Sequence, residues 1–172
     1  MDTDPVWGNI FKNFDKKEES EIDILLKIPL FEGLKKKEMR FILKYLHPRE
    51  YKVDELIIEE NKPGVGMYII LEGKVQIFFK KGNKTLAVLG RGEFFGEMAL
   101  LQESPRSASV KALEQTRLLG LFQPDILGLI DRKPHLGNTV LIHLAQMIAE
   151  RLRFSNDERY QLQMKLAEYE KK

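Results

Sequence analysis

Hydrophobic and polar residues alternate through the middle of the chain, and this pattern predicts a series of short β-strands. The alternating sets are Tyr51/Val53, Leu56/Ile58, Val75/Ile77/Phe79 and Leu86/Val88, with a continuous apolar run at residues 67–71 and two further candidate strands at residues 109–111 and 117–122. Glycine-containing turns separate them, at residues 63–66, 72–73, 82–83 and 90–92. Short strands at regular spacing with glycine turns are typical of an all-β barrel or sandwich.

Helical periodicity precedes the β region. The period from Ile22 to Leu46 is helical, and Pro48 is expected to end that helix. Nearer the N-terminus the chain is polar and acid-rich, and four apolar residues at helical spacing predict one short amphipathic helix, which either packs on the main domain or binds a partner. The apolar face of the helix that ends before Pro48 carries Met39, Ile42, Leu43 and Leu46. The four apolar residues of the N-terminal amphipathic helix are Trp7, Ile10, Phe11 and Phe14.

Helical periodicity also follows the β region. Residues 125–131 predict a short helix that Pro134 breaks. Asn138 is the expected N-cap of a longer helix, because its side chain can accept hydrogen bonds from the N–H groups of the first turn. The apolar face of this helix carries Val140, Leu141, Leu144, Met147, Ile148 and Leu152, and a sparser seam continues through Leu162, Leu166 and Tyr169 with Ser155 and Arg159 in its middle.

The composition is that of a soluble globular protein of about one domain with a small helical attachment, since the 172 residues are 43 % hydrophobic and 31 % charged. The chain has no cysteine and only three histidines, which excludes disulfides and thiolate chemistry and argues against a structural zinc site. The net charge of +2 is too balanced for a protein whose main task is to bind a nucleic-acid backbone.

The chain carries no sequence signal for export or membrane insertion. Its longest apolar runs are about five residues, whereas a membrane span needs roughly 20. Residues 1–5 are acidic and lack the basic start and the apolar stretch of a signal peptide. The sequence therefore predicts a cytoplasmic protein that does not bind membranes.

One segment combines a glycine, an acid and an arginine at a spacing that suggests ligand binding. Phe95-Gly96-Glu97-Met98-Ala99-Leu100-Leu101 is followed by Pro105-Arg106-Ser107-Ala108-Ser109-Val110. The glycine opens a short helical turn whose backbone N–H groups favour an anion. Arginine binds phosphate through two parallel hydrogen bonds. A carboxylate in such a site suits a ligand that also carries a hydroxyl, so Glu97 can accept from a ribose 2′-OH while Arg106 neutralises the phosphate.

This segment resembles the phosphate-binding cassette of the cyclic nucleotide-binding domains, in which F-G-E-x-A-L is followed by P-R-S/T-A-x-V. Residues 28–34 and 68–75 resemble the family's entry segment and central hairpin, so the resemblance covers roughly residues 25–155. It implies a mainly β fold with flanking helices, namely an eight-stranded antiparallel β jelly-roll barrel with N-terminal helices and a C-terminal helical subdomain. The implied units are a helical extension (1–24), the binding domain (25–155, with its barrel near 50–123) and a helical tail (156–172).

The resemblance also implies roles for individual residues. Glu97 would bind the ribose hydroxyl and Arg106 the cyclic phosphate, with backbone amides at Gly96, Met98, Ala99 and Ala108 completing the cradle. The implied cyclic nucleotide-binding set is Phe95, Gly96, Glu97, Met98, Ala99, Arg106, Ser107 and Ala108. Candidates for capping the base are Arg151, Arg153 and Phe154, since arginine planes and aromatic rings stack on bases. Ser107 does not decide the base, and cyclic AMP is favoured over cyclic GMP.

We therefore expect a stand-alone sensor that binds a cyclic nucleotide, uses no metal or other cofactor, and signals by moving its C-terminal helix. Its partner would be an unidentified protein or a second copy that pairs through that helix. The alternatives are an interaction module of the same fold that binds no nucleotide, and the regulatory piece of a transcription factor or larger signalling protein. DNA binding by this chain is not expected, because the 17 residues after Ser155 are too few for a helix-turn-helix domain. An enzyme is not expected either, because the sequence offers no nucleophile–base pair.

Overall fold

The computed structural model describes residues 21–169, without the side chains of Asn83, Glu158 and Glu168. A helical segment at residues 21–25 and a 3-10 turn at Pro29–Phe31 lead into helix α1 (Lys36–Leu43). The strands are β1 (His47–Tyr51), β2 (Leu56–Ile58), β3 (Pro63–Gly64), β4 (Gly66–Glu72), β5 (Val75–Phe79), β6 (Lys84–Leu89), β7 (Phe94–Phe95), β8 (Ser104–Pro105), β9 (Ser109–Ala112) and β10 (Thr116–Phe122). The other helices are α2 (Met98–Leu101), α3 (Gln123–Arg132) and α4 (Pro134–Tyr169). The amphipathic helix expected around Trp7 lies outside the described residues.

Eight of the strands form two four-stranded sheets, with the orders β1-β10-β4-β7 and β2-β9-β5-β6. Every pairing in them is antiparallel. The remaining strands, β3 and β8, pair with each other over two residues. The jelly-roll fold expected from the sequence is thus confirmed, with its eight main strands arranged as two facing sheets rather than as one closed cylinder.

In the sheet β1-β10-β4-β7, the two central strands β10 and β4 are buried on both faces. On one face Ile70 and Leu118 pack against the second sheet, in a cluster that includes Val75 and Val110. On the other face Met67, Ile69, Leu71, Leu119 and Leu121 pack under the helices. A strand covered on both faces carries apolar residues at consecutive positions, and this explains the continuous apolar run in β4.

The first helix is shorter than its periodicity predicted. Helix α1 ends at Leu43, so the buried Leu46 lies beyond it, and Pro48 does not end a helix but lies in β1. Strand β1 is an edge strand that pairs only with β10, and an edge strand tolerates a proline because one row of its N–H groups needs no partner. The strand accordingly begins at His47 rather than near Tyr51, and Val53 lies outside it.

The long C-terminal helix begins earlier than predicted. Pro134, expected to interrupt a helix, opens α4, because its fixed φ and missing N–H suit the first turn. Asn138, expected as the N-cap, lies inside α4. Val140, Leu144 and Met147 are buried, but Leu152, expected on the same face, is 60 % exposed. All described side chains from residue 149 to 169 are exposed, so the second half of α4 lies clear of the core.

The expected boundary at residue 155 falls inside this continuous helix, so the division into a binding domain and a tail stays a prediction. None of the helices within residues 21–169 is both long and apolar enough to span a bilayer.

Candidate functional site

A cavity of about 340 Å³ lies beneath α4, and residues from all four strands of the sheet β2-β9-β5-β6 line it together with residues 94–99 and 104–108. Its volume lies within the range typical of sites for small molecules. All eight residues predicted to bind a ligand line it: Phe95, Gly96, Glu97, Met98, Ala99, Arg106, Ser107 and Ala108. The fold therefore brings the two halves of the segment, on either side of β8, to one wall of the cavity.

Gly96 makes the turn from β7 into α2. Its φ of +80° lies in the left-handed region that favours glycine, and a Cβ there would lie 2.7 Å from Arg106 Nη1. Glu97 follows at the start of α2 and is buried, with 7 % of its surface exposed. The Ala99 amide N–H, predicted to contact the phosphate, donates to the Gly96 carbonyl at 3.2 Å. In this structure it therefore closes the turn at the start of α2.

The Arg106 guanidinium is held by two backbone carbonyls. Nη1 donates to the Gly96 oxygen at 3.1 Å and Nη2 donates to the Gly66 oxygen at 2.7 Å. Burial lowers the pKa of Arg106 from its ordinary value, and the nearby Tyr68 and Glu97 partly oppose that shift. Arginine nevertheless stays charged in proteins, so the site holds a fixed, partly desolvated cation that an anion would stabilise.

Gly64 makes room for this arginine. A Cβ on Gly64 would overlap Nε, Cζ and Cδ of Arg106. Residues 63–66 were predicted as a turn, and they include strand β3. Gly64 of β3 pairs with Ser104 of β8, and Ser104 lies two positions before Arg106. Sequence reasoning did not assign Gly64 to the site. Nothing in the sequence indicates that Gly64 pairs with Ser104, which lies 40 positions later in the chain.

Arg151 of α4 closes the cavity from above. Its Nη1 donates to Glu97 Oε1 at 2.5 Å, and its guanidinium lies 4.8 Å from the centre of the Phe94 ring. Of the three predicted base-capping residues, Arg151 lines the cavity, whereas Arg153 and Phe154 are exposed and do not line it. Base capping stays a prediction for all three, and the geometry favours Arg151.

The rest of the cavity wall is mainly apolar. It is formed by Ile58, Ile77, Ala87, Leu89, Phe94, Pro105 and Val110, with Ser104 as a further polar member. Sequence reasoning did not assign these residues to the ligand site. The strand alternation was the available signal, because it already put Ile58 and Ile77 on one face of their strands, but it did not say that this face meets the glycine–acid–arginine segment.

The arrangement suits a small ligand with three chemical parts. Arg106 offers N–H groups to an anion, Glu97 offers carboxylate oxygens to a hydroxyl, and the apolar wall accommodates a flat, weakly polar group. Within the described residues, no cluster of three or more histidine, aspartate or glutamate side chains could hold a metal ion.

Comparison with known proteins shows similarity over most of the chain. The family model described as "Cyclic nucleotide-binding domain" matches residues 48–133. The "Cyclic AMP receptor protein" of Thermus thermophilus is 43 % identical over 128 residues, which are 73 % of this chain and 57 % of that protein. A "cAMP-dependent protein kinase regulatory subunit" of Mycosarcoma maydis is 38 % identical over 94 residues, which are 54 % of this chain and 18 % of that protein.

A solved structure shares the fold over most of both chains. The crystal structure of a cyclic nucleotide-binding domain from Methylobacillus flagellatus superposes with a TM-score of 0.72 at 33 % identity, and covers 84 % of this chain and 83 % of its own. The two curated relatives are longer, since this chain spans 57 % and 18 % of their lengths.

Proposed function

The chain belongs to the cyclic nucleotide-binding domain family, and from that premise we propose that it is a regulatory sensor that binds cyclic AMP in the cavity beneath α4. The observation that carries the proposal is the joint position of Arg106 and Glu97 on one wall of a cavity of about 340 Å³. An anion site beside a buried carboxylate matches a ligand that carries a phosphate and a neighbouring hydroxyl. The role is regulatory rather than catalytic.

Arg106 binds the cyclic phosphate. The Gly66 and Gly96 carbonyls orient its guanidinium, and these contacts use two of the five N–H groups of an arginine. Because the fork is oriented before the ligand arrives, little side-chain entropy is lost on binding. The cation is partly desolvated, which strengthens its attraction to the phosphate.

Glu97 accepts a hydrogen bond from the ribose 2′-OH. A carboxylate has two oxygens, so Oε2 can accept from the ribose while Oε1 keeps its contact with Arg151. Ligand binding and the Arg151–Glu97 ion pair are therefore compatible, and the ligand adds contacts between the sandwich and α4.

The preference for cyclic AMP over cyclic GMP is a separate part of the proposal. The names of the two relatives described above refer to cyclic AMP. A "cGMP-dependent protein kinase" of Toxoplasma gondii is 34 % identical to this chain over 125 residues, so the similarity is not confined to proteins named for cyclic AMP. Ser107 is exposed and lines the cavity, where its hydroxyl can meet the edge of either purine. Calorimetry with both nucleotides tests this directly, and equal affinities would contradict the preference. No binding of either nucleotide would contradict the sensor and favour the interaction module.

The signal passes through α4. A ligand shifts a conformational equilibrium only through different contacts in the two states. Arg151 supplies such contacts, because it joins α4 to Glu97 and rests on Phe94, where its guanidinium can also stack on the base. We infer that the ligand strengthens the contact of α4 with the sandwich and thereby orients the exposed half of the helix.

The exposed half of α4 is the surface that transmits the signal. It does so by pairing with the same half of α4 in a second copy of the chain. Leu162, Leu166 and Tyr169 are each at least 60 % exposed and follow the four–three spacing of a heptad seam. Two such seams are self-complementary in a two-fold pair. Sedimentation equilibrium of the wild type and of the Leu162→Glu/Leu166→Glu variant tests this pairing, and a monomeric wild type would contradict it.

A further inference from the structure

A second cavity lies away from the nucleotide site, between α1 and the start of α4. It measures about 380 Å³ and is lined by Lys37, Glu38, Phe41, Lys133, Pro134, His135 and Leu136, which we call the α1/α4 groove. Its surface is mostly apolar, and the ring of Phe41 forms part of the floor. The ammonium groups of Lys133 and Lys44 lie 5.8 and 6.0 Å from the centre of that ring.

The rim of the groove is basic. Lys37 and Lys133 are exposed at its edge, and Glu38 is the acid among its lining residues. The Glu38 carboxylate accepts the Lys35 amide N–H at 2.8 Å, so it serves the start of α1. A groove with an apolar floor and a cationic rim fits a segment that combines large apolar side chains with carboxylates.

The first eleven residues of this chain have that composition. They carry Asp2 and Asp4 and no lysine or arginine, and the carboxylates are followed by Trp7, Ile10 and Phe11. Trp7 and Phe11 are four positions apart, which puts them on one face if the segment is helical. The basic residues of the segment begin only at Lys12.

The segment starts from a point close to the groove. Asp23, near the beginning of the described chain, pairs with Lys36 at 2.8 Å, and Lys36 adjoins Lys37 on the rim. The ten residue steps from position 11 to position 21 span about 15 Å as a helix and up to about 33 Å when extended. The tether is therefore long enough for residues 1–11 to reach the groove of their own chain.

We propose that the N-terminal segment of this chain, residues 1–11, docks in the α1/α4 groove, with Trp7 and Phe11 on the apolar floor and Asp2 and Asp4 against Lys37 and Lys133. The groove adjoins Pro134, where α4 begins, so the docked segment braces the base of the helix whose later turns carry Arg151. This proposal rests on the groove and on the segment, and it holds whether or not the cavity beneath α4 binds a nucleotide.

The single tryptophan provides the measurement, since Trp7 is the only one in the chain. Acrylamide quenching of Trp7 in the full chain at low salt is compared with quenching in a peptide of residues 1–20. We expect quenching to be severalfold weaker in the full chain, because docking covers the indole. The Lys37→Glu/Lys133→Glu variant should approach the peptide. The control Lys81→Glu/Lys84→Glu makes the same charge change in the β5–β6 connection and at the first residue of β6, and it should retain the wild-type value.

Further outcomes test the docked segment against its alternatives. Adding Asp2→Lys/Asp4→Lys to the groove variant should restore the shielding, and hydrogen exchange at residues 37–44 should accelerate when residues 1–20 are deleted. Equal quenching in the full chain and in the peptide, or equal quenching in the groove variant and the wild type, would overturn the proposal. Shielding that disappears on dilution would also overturn it, because it would assign the groove to a second copy.

Discussion

The Arg151 guanidinium donates to the Glu97 carboxylate at 2.5 Å, although the two residues are 54 positions apart in the chain. Glu97 is almost fully covered, with 9 % of its side chain exposed, whereas 51 % of the Arg151 side chain is exposed. This contact links α4 to the residue that we propose for ribose binding, so changes at Arg151 should affect both ligand affinity and the helix.

Arg151→Ala should weaken cyclic AMP binding modestly. A cation that stacks on an aromatic face at an exposed site contributes about 0.5–1 kcal/mol, so losing the proposed stack of Arg151 on the base should lower the affinity roughly two- to fivefold. Calorimetry gives the value. Arg153→Ala is the matched control, because Arg153 is exposed and does not line the cavity. If Arg153→Ala has the larger effect, the capping residue is not Arg151.

Arg106→Ala should cause a much larger loss. Truncating one member of a buried charge pair costs about 2–5 kcal/mol, so affinity should fall by roughly 30-fold or more. Arg106→Lys should lose most of the affinity as well, because lysine lacks the planar fork. Arg91→Ala, in the exposed turn before β7, is the control for charge alone. Wild-type affinity in a folded Arg106 variant would refute the phosphate assignment.

Glu97 should select for a ligand that carries a 2′-hydroxyl. Wild-type protein should bind 2′-deoxy cyclic AMP much more weakly than cyclic AMP, because the buried carboxylate would lose its proposed hydroxyl partner. Glu97→Gln should discriminate far less between the two ligands. Competition binding with both nucleotides measures the ratio of affinities, and a ratio near one in the wild type would remove the proposed role of Glu97.

Gly64→Ala should weaken binding without unfolding the protein. The added methyl group would overlap the flexible Arg106 side chain, which can move away, but its guanidinium would then leave the Gly66 and Gly96 carbonyls. A charged hydrogen bond contributes about 1.5–3 kcal/mol, so we expect a loss of about tenfold or more. Gly90→Ala is the matched control, since a Cβ there meets no atom within 4 Å. Equal affinities of the two variants would contradict the packing argument.

Cyclic AMP should slow hydrogen exchange in two separate regions. Residues 96–108 should be protected because they line the cavity, and residues 144–160 should be protected because the ligand adds contacts to Arg151. Exchange mass spectrometry with and without ligand measures both. Protection of residues 96–108 with unchanged exchange at 144–160 would show that α4 does not carry the signal.

The local pattern was sufficient for the elements and for the core of the proposed site. Alternation predicted β5 because its face with Val75 and Ile77 packs on the other sheet. It also predicted β6, although Leu86 and Val88 are exposed. The glycine–acid–arginine segment could be recognised because its members lie within fourteen residues, from Phe95 to Ala108. Helix ends were less accurate. Helix α1 ends at Leu43 because the chain soon enters β1, and α4 begins at Pro134 because a proline suits the first turn of a helix.

Only the tertiary structure decided which distant residues complete the cavity. Gly64 touches Arg106 because β3 pairs with β8. Arg151 reaches Glu97 because α4 packs on the core through Val140, Leu144 and Met147, the last of which lies one turn before the arginine. The sequence by itself determined the main strands, the helical character of the regions before and after them, and the chemical character of the segment from Phe95 to Ala108, because those depend on neighbours along the chain. The apolar wall, the space for the arginine and the choice of Arg151 over Arg153 depend on how separate elements pack, which sequence spacing alone does not encode.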